Sequence, residues 1–257
     1  MEARCFGIEI ECYFPTDSLL RNACREFSKL GWDFETDPSL KSRGCGMEFK
    51  SPILKGEEGI QDVIRAVEVL REHSAFVESD CGFHVHVDAR DMDLLQAVAV
   101  QARYFKFQEE IDKVVQLHRR SGECYSPALL SQHIVKNLEY ARYNNSLYYA
   151  ARSVLNLDSL YKHGTIEFRQ LEGTIDANKI IAWIGFCVDF VEWTKQHNQV
   201  KHHVPWWEYF GADKSYDDVD YDTRKFAETE FEVEYGTLFS GVNEGSVWWM
   251  SNKMQRV

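Results

Sequence analysis

The segment Cys81-Gly-Phe-His-Val-His-Val-Asp-Ala89 constrains the fold of this chain more than any other. Phe83, Val85 and Val87 alternate with His84, His86 and Asp88, the period-two pattern of a half-buried strand. One face enters a core, and the other presents two imidazoles and a carboxylate. Residues two apart on one strand face lie about 7 Å from each other, so both histidines reach into one site. An ordinary strand spends its polar face on Thr, Ser or Lys. This one spends it on groups that bind metals and phosphates.

Three further strands carry polar faces of the same kind. Residues 4–13 put Phe6, Ile8, Ile10 and Cys12 on one face, and Gly7, Glu9 and Glu11 on the other. Residues 47–54 carry Glu48 and Lys50 together and end near Pro52, and residues 165–171 set Thr165, Glu167 and Arg169 against Ile166 and Phe168. Each alone reads as a solvated face or a cross-strand ion pair. As antiparallel neighbours they form one concave surface. Carboxylates with few imidazoles are a ligand set for Mg²⁺ or Mn²⁺, not for a closed zinc site. Two such ions with an arginine would clamp a transferring phosphoryl group. No Gly-x-x-x-x-Gly-Lys-Ser/Thr or Gly-x-Gly-x-x-Gly run occurs, so a nucleotide here would be held by metals and arginines on a sheet.

The helical segments are spaced between these strands. Thr16-Asp17-Ser18 offers a cap for a helix through Leu20, Ala23, Cys24, Phe27 and Leu30 that stops at Gly31. Ile60, Val63, Ile64, Val67 and Leu70 mark a second helix, and a long one is expected from Asp91 to about His118. Pro127 suits a helix start, residues 142–157 give no clear pattern, and Asp176 caps a helix that is apolar nearly all round. The expected organisation is a catalytic domain over residues 1–195 and an aromatic, acidic extension over 196–257, packed on it or appended to it.

Bulk properties narrow the partners. A formal charge of −12 argues against nucleic-acid and anionic-membrane surfaces. Seven cysteines without a Cys-x-x-Cys pair suit a reducing compartment. The chain opens without a charged-then-apolar leader, and its longest apolar run, Ile180 to Phe190, is too short for a bilayer. A soluble, cytoplasmic protein is expected, with its oligomeric state open.

Four motifs in order carry a resemblance: Phe6-Gly-Ile-Glu-Ile-Glu11; Asp37-Pro-Ser-Leu with Gly46-Met-Glu-Phe-Lys-Ser-Pro-Ile-Leu54; Gly82-Phe-His-Val-His-Val87; and Leu155-Asn-Leu with His163-Gly-Thr-Ile-Glu-Phe-Arg169 and Gly173-Thr174. Over residues 4–195 the chain resembles the amidoligase family, of the carboxylate–amine ligase superfamily that includes glutamine synthetase and glutamate–cysteine ligase. The resemblance implies an α+β fold, a glutamine-synthetase-like catalytic domain with a curved antiparallel sheet backed by helices. It implies metal ligation by Glu9, Glu11, Glu48, His84 and Glu167. Arg169 and His86 are then the catalytic residues, and with Lys50 they contact the nucleotide. Asp37, Ser39, Asn156 and Arg142 stay open between substrate contact and a local structural role. The implied reaction is ATP-dependent and uses Mg²⁺ or Mn²⁺. It joins a small-molecule or peptide carboxylate to an amine through an acyl phosphate, with the general base unidentified. Two other readings remain: a binding or regulatory module that keeps the fold without turnover, and a metal-dependent hydrolase, for which His-x-His would have to sit on the first strand of a barrel.

Overall fold

A computed structural model describes residues 4–41, 44–122, 128–129, 131–148 and 153–196. The acidic stretch from Asp213 to Glu234, the rest of the expected extension beyond 196, and Pro127 lie outside the described residues.

The alternating strands assemble as anticipated. β1 (Cys5–Tyr13) buries Phe6, Ile8, Ile10 and Cys12. It pairs antiparallel with β3 (Gly46–Lys50) on one side and β5 (Gly82–Asp88) on the other. β5 pairs with β7 (Thr165–Glu172), which pairs with the two-residue β6 (Leu155–Asn156). On the far side β2 (Asp33–Glu35) pairs with β3, and β4 (Leu54–Lys55) pairs with the start of β1. The order is β2-β3-β1-β5-β7-β6 with β4 beside β1, all antiparallel.

The α+β class and the helix-backed antiparallel sheet therefore stand, but the curved, glutamine-synthetase-like sheet does not. The sheet is open, neither curled nor closed, because its end strands β2 and β6 have no pairing with each other. Curling needs bulges or glycine kinks repeated across a sheet. The described ladders contain one register shift, between Phe83 and Val85 opposite β7.

Helices cover the apolar face. α1 (Asp17–Lys29) starts where the Thr16 hydroxyl accepts from the Leu19 N–H, and Gly31 follows its end at φ 78°. α2 (Gly56–Glu72) buries Val63, Ala66, Val67 and Leu70. The long helix expected from Asp91 is broken. α3 (Leu94–Lys106) begins with a capping box between Asp93 and Gln96. α4 (Gln108–Asp112) and a 3₁₀ turn at Leu117–Arg119 follow separately. Apolar residues continue across the break through Tyr104, Phe105 and Phe107, and Ile111 and Val115 reach the core beyond it. α5 (Ser131–Asn144) packs on α3, and α6 (Ser159–His163) is a single turn before β7. α7 (Ala177–Gln196) buries Ile180, Trp183, Ile184, Phe186, Cys187, Phe190 and Val191 against β5, α2 and α3. Each such side chain contributes roughly 1.5–3 kcal/mol by leaving water. Among the described residues no helix is long and apolar enough to cross a membrane.

The expected strand over 47–54 also divides. Pro52 has no N–H to give a ladder, and Ser51 fills the break: its N–H donates to Ile8 O at 2.9 Å, while its Oγ accepts from Ile8 N at 2.9 Å. Edge strand β2 escapes any periodicity argument, since its three residues are all exposed.

Candidate functional site

Register alone brings the polar residues together. Glu9 lies between Lys50 on β3 and His84 on β5, and Glu11 lies opposite Glu48 and accepts from the Gly82 N–H. Glu167 lies opposite His86 on β5 and Asn156 on β6. The whole set occupies the sheet face opposite the apolar one, where Glu11, Glu48, His84 and Glu167 are buried.

Two groups of ligand atoms form. Glu9, His86 and Glu167 each offer an atom within 4.8 Å of the others, and so do Glu11, Asp37 and Glu48. The resemblance implies a metal for His84 and a phosphate for His86. In the structure His84 Nδ1 is 2.9 Å from Glu9 Oε2 and 3.8 Å from Glu167 Oε1, its Nε2 is 3.8 Å from Glu11 Oε1, and His86 is in the first donor group. Thr165 Oγ1 lies 3.0 Å from His86 Nδ1. This leaves the buried His86 Nε2 without a hydrogen bond, 3.4 Å from Glu9 Oε1 and 4.0 Å from Glu167 Oε1. A buried nitrogen facing two carboxylates fits a divalent cation, as does the crowding of three acids in the second group.

The second group shows that crowding electrostatically. Burial, together with the charges of Glu9, Glu11 and Asp37, pushes the Glu48 carboxyl up to about 8, against the pull of Lys50. Glu9 goes the other way. Burial raises it, but the hydrogen bond with His84 and the charges of His84 and His86 hold it well below the usual carboxylate range. Glu167 is likewise raised by burial and lowered further by Arg169, His84 and His86.

A pH experiment follows from Glu48. The folded protein without a cation keeps a proton there that the unfolded chain releases near 4.5, so unfolding releases protons between these values and stability falls as pH rises. This contribution is complete below pH 4.5 and lost as pH passes through about 8. In EDTA, chemical denaturation at pH 8.5 should show about 3 kcal/mol less stability than at pH 5.5. Mg²⁺ should restore it at pH 8.5 by replacing the proton, and Glu48→Gln should flatten the profile. An unchanged profile in that variant would refute the assignment.

Cations frame these acids. Arg169 pairs with Glu167. Lys50 Nζ lies 2.5 Å from Glu35 and 3.4 Å from Glu48. Asn156 Nδ2 donates to Glu167 Oε2 at 2.6 Å, so its role is to orient that carboxylate, and its own Oδ1 accepts from Asp158 N. Asp37 caps its own turn, accepting from Ser39 N at 2.6 Å, and it also joins the second group.

Arg119 was not found from the sequence. It is only 4% exposed, and its Nη2 donates to Arg169 O at 2.5 Å. Burial, ahead of the neighbouring Arg169 charge, lowers its guanidinium. A Cβ placed on Gly82 would stand 2.8 Å from His84 Nε2, 3.0 Å from Arg119 Nη2 and 3.3 Å from Glu11 Oε2. These groups close over a bare backbone, whose N–H donates to Glu11 Oε2 at 2.5 Å. Arg119 follows a stretch expected to be helical, and no repeat or motif marks it. Arg142 is not among the residues lining the cavities on this face.

The family model described as "Putative amidoligase enzyme" matches residues 16–191, more than half of the chain. That span takes in β3, β5 and β7 but leaves Glu9 and Glu11 outside it. No curated protein matches the chain.

Proposed function

As the chain belongs to the amidoligase family, we propose that it is an ATP-dependent carboxylate–amine ligase, with residues 1–195 as its catalytic domain. The supporting observation is the pair of adjacent donor groups on one sheet face, with Arg169 beside one and Lys50 beside the other. Glu9, His86 and Glu167 would hold one ion, and Glu11, Asp37 and Glu48 another. Bound Mg²⁺ or Mn²⁺ would supply charge neutralisation for the phosphate oxygens.

The chain's own residues supply the rest. Arg169, oriented by Glu167, presents a guanidinium where the γ-phosphoryl charge spreads, and Lys50 adds a second cation. A substrate carboxylate oxygen attacks the γ-phosphorus, and the bond to ADP breaks. The resulting acyl phosphate is attacked at carbon by an amine, which loses a proton as phosphate departs with its bonding electrons. The amide or peptide-like product follows from that balance.

Calorimetric titration of ATP into the purified chain tests this. Binding in Mg²⁺ that disappears in EDTA, followed by ADP release with some acid and amine pair, is the expected result. Absence of nucleotide binding in every divalent metal would overturn the ligase reading. Tight Zn²⁺ binding instead would favour a hydrolase, and nucleotide binding without turnover would favour a regulatory module.

A further inference from the structure

Two cavities open on the polar face of the sheet, and they meet. One, of about 430 Å³, contains the carboxylates and Arg169. The other, of about 380 Å³, runs past Phe6, Pro52 and Ile53. Glu9, Lys50, His86 and His163 line both. Three of these belong to the sheet itself and form a common floor. His163 reaches the junction from outside the sheet, as the last residue of α6.

His163 stands on a braced turn. Gly164 follows it in the left-handed region at φ 70°, and a Cβ there would meet Arg90 Cγ at 2.5 Å. Arg90 is itself fixed, donating from Nε and Nη2 to the two oxygens of Asp88 at 2.8 and 3.0 Å. Gly164 O accepts from Ala89 N at 2.9 Å, tying the turn to the end of β5. The His163 ring meets that of His86 edge to face, with centroids 5.9 Å apart at 89°. It is exposed, and its nitrogens make no hydrogen bond to any described residue.

We propose that His163 contacts the phosphate chain of a bound nucleoside triphosphate where that chain passes from the more apolar cavity into the acidic one. This rests on the ligase reading above. A nucleoside triphosphate has an aromatic end and an anionic end, and the paired cavities present complementary linings. An imidazole N–H held over the junction suits a phosphate oxygen, and a hydrogen bond to a charged group is among the stronger ones.

The test is direct binding rather than turnover. ATP, tripolyphosphate and adenosine are titrated in Mg²⁺ into the full chain and into His163→Ala and His163→Asn. His163→Ala should weaken ATP and tripolyphosphate about tenfold, while adenosine binding and nucleotide-free metal binding stay at the parent level. His163→Asn, which keeps an N–H donor, should recover part of the loss. Equal ATP affinity in parent and His163→Ala would overturn the contact while leaving the ligase reading intact. An equal loss for adenosine would also overturn it, placing His163 on the base. If the parent chain binds no ATP, both readings fall.

Discussion

Glu9→Gln should reduce metal-dependent turnover about a thousandfold while leaving the fold intact. Glu9 is the hub of the polar face: Oε2 lies 2.9 Å from His84 Nδ1, Oε1 lies 3.4 Å from His86 Nε2, and Lys50 sits across the ladder. The amide keeps the size and one acceptor oxygen, but it removes the charge that a divalent cation requires. Transition-state charge stabilisation by a bound divalent ion is worth several kcal/mol, and each 1.36 kcal/mol is about tenfold in rate. Without metal the sign differs. Glu9 is one of the charges that crowd Glu48, so its neutralisation relieves repulsion and offsets the weakened contacts to the histidines. The metal-free variant should unfold within about 1 kcal/mol of the parent. Paired calorimetry and denaturation separate the two effects. A variant that unfolds normally and still turns over at the parent rate would remove Glu9 from the site.

Glu9 also shows why so much of this site was legible in advance. Side chains two apart on a strand share a face, so Glu-x-Glu, His-x-His and Glu-x-Arg declare their direction without any structure. Antiparallel pairing then makes them neighbours. What the pattern cannot carry is the choice between two imidazoles. His84 and His86 share a face, and only the placement of Thr165 and Glu9 around them decides which nitrogen is engaged and which is left to face the acids. Asp37 and Arg119 come from non-repetitive segments, where no period exists to read. The same limit explains β2, too short to alternate. The curvature expected of the sheet was carried by resemblance rather than by residues. The motifs specify which faces meet, whereas curling depends on bulges and edge pairing across the whole sheet, and here the edges remain apart.

Gly82→Ala and Gly173→Ala form the second test, because a glycine in β5 and the glycine that follows β7 should fail in opposite ways. At Gly173 an added Cβ would stand 2.4 Å from Cys81 Cβ and 3.1 Å from its carbonyl carbon. Gly173 N also donates to Cys81 O at 2.9 Å, so the two backbones are held together. Neither side can yield without breaking the end of the β5–β7 ladder, and overpacking there should cost about 3 kcal/mol. At Gly82 the atoms in the way are the tips of His84, Arg119 and Glu11. Side-chain tips move at modest cost, so Gly82→Ala should lose only about 1 kcal/mol of stability. The displaced tips, however, are those that set the position of Glu11 and the packing behind the donor groups. Metal affinity should therefore fall about a hundredfold, the scale on which groups supporting a metal site act. Denaturant unfolding beside metal titration distinguishes the outcomes: Gly173→Ala loses stability first, and Gly82→Ala loses metal first. Parent-like metal affinity in a folded Gly82→Ala protein would mean that Glu11, Asp37 and Glu48 hold no ion, leaving the group of Glu9, His86 and Glu167 to act alone.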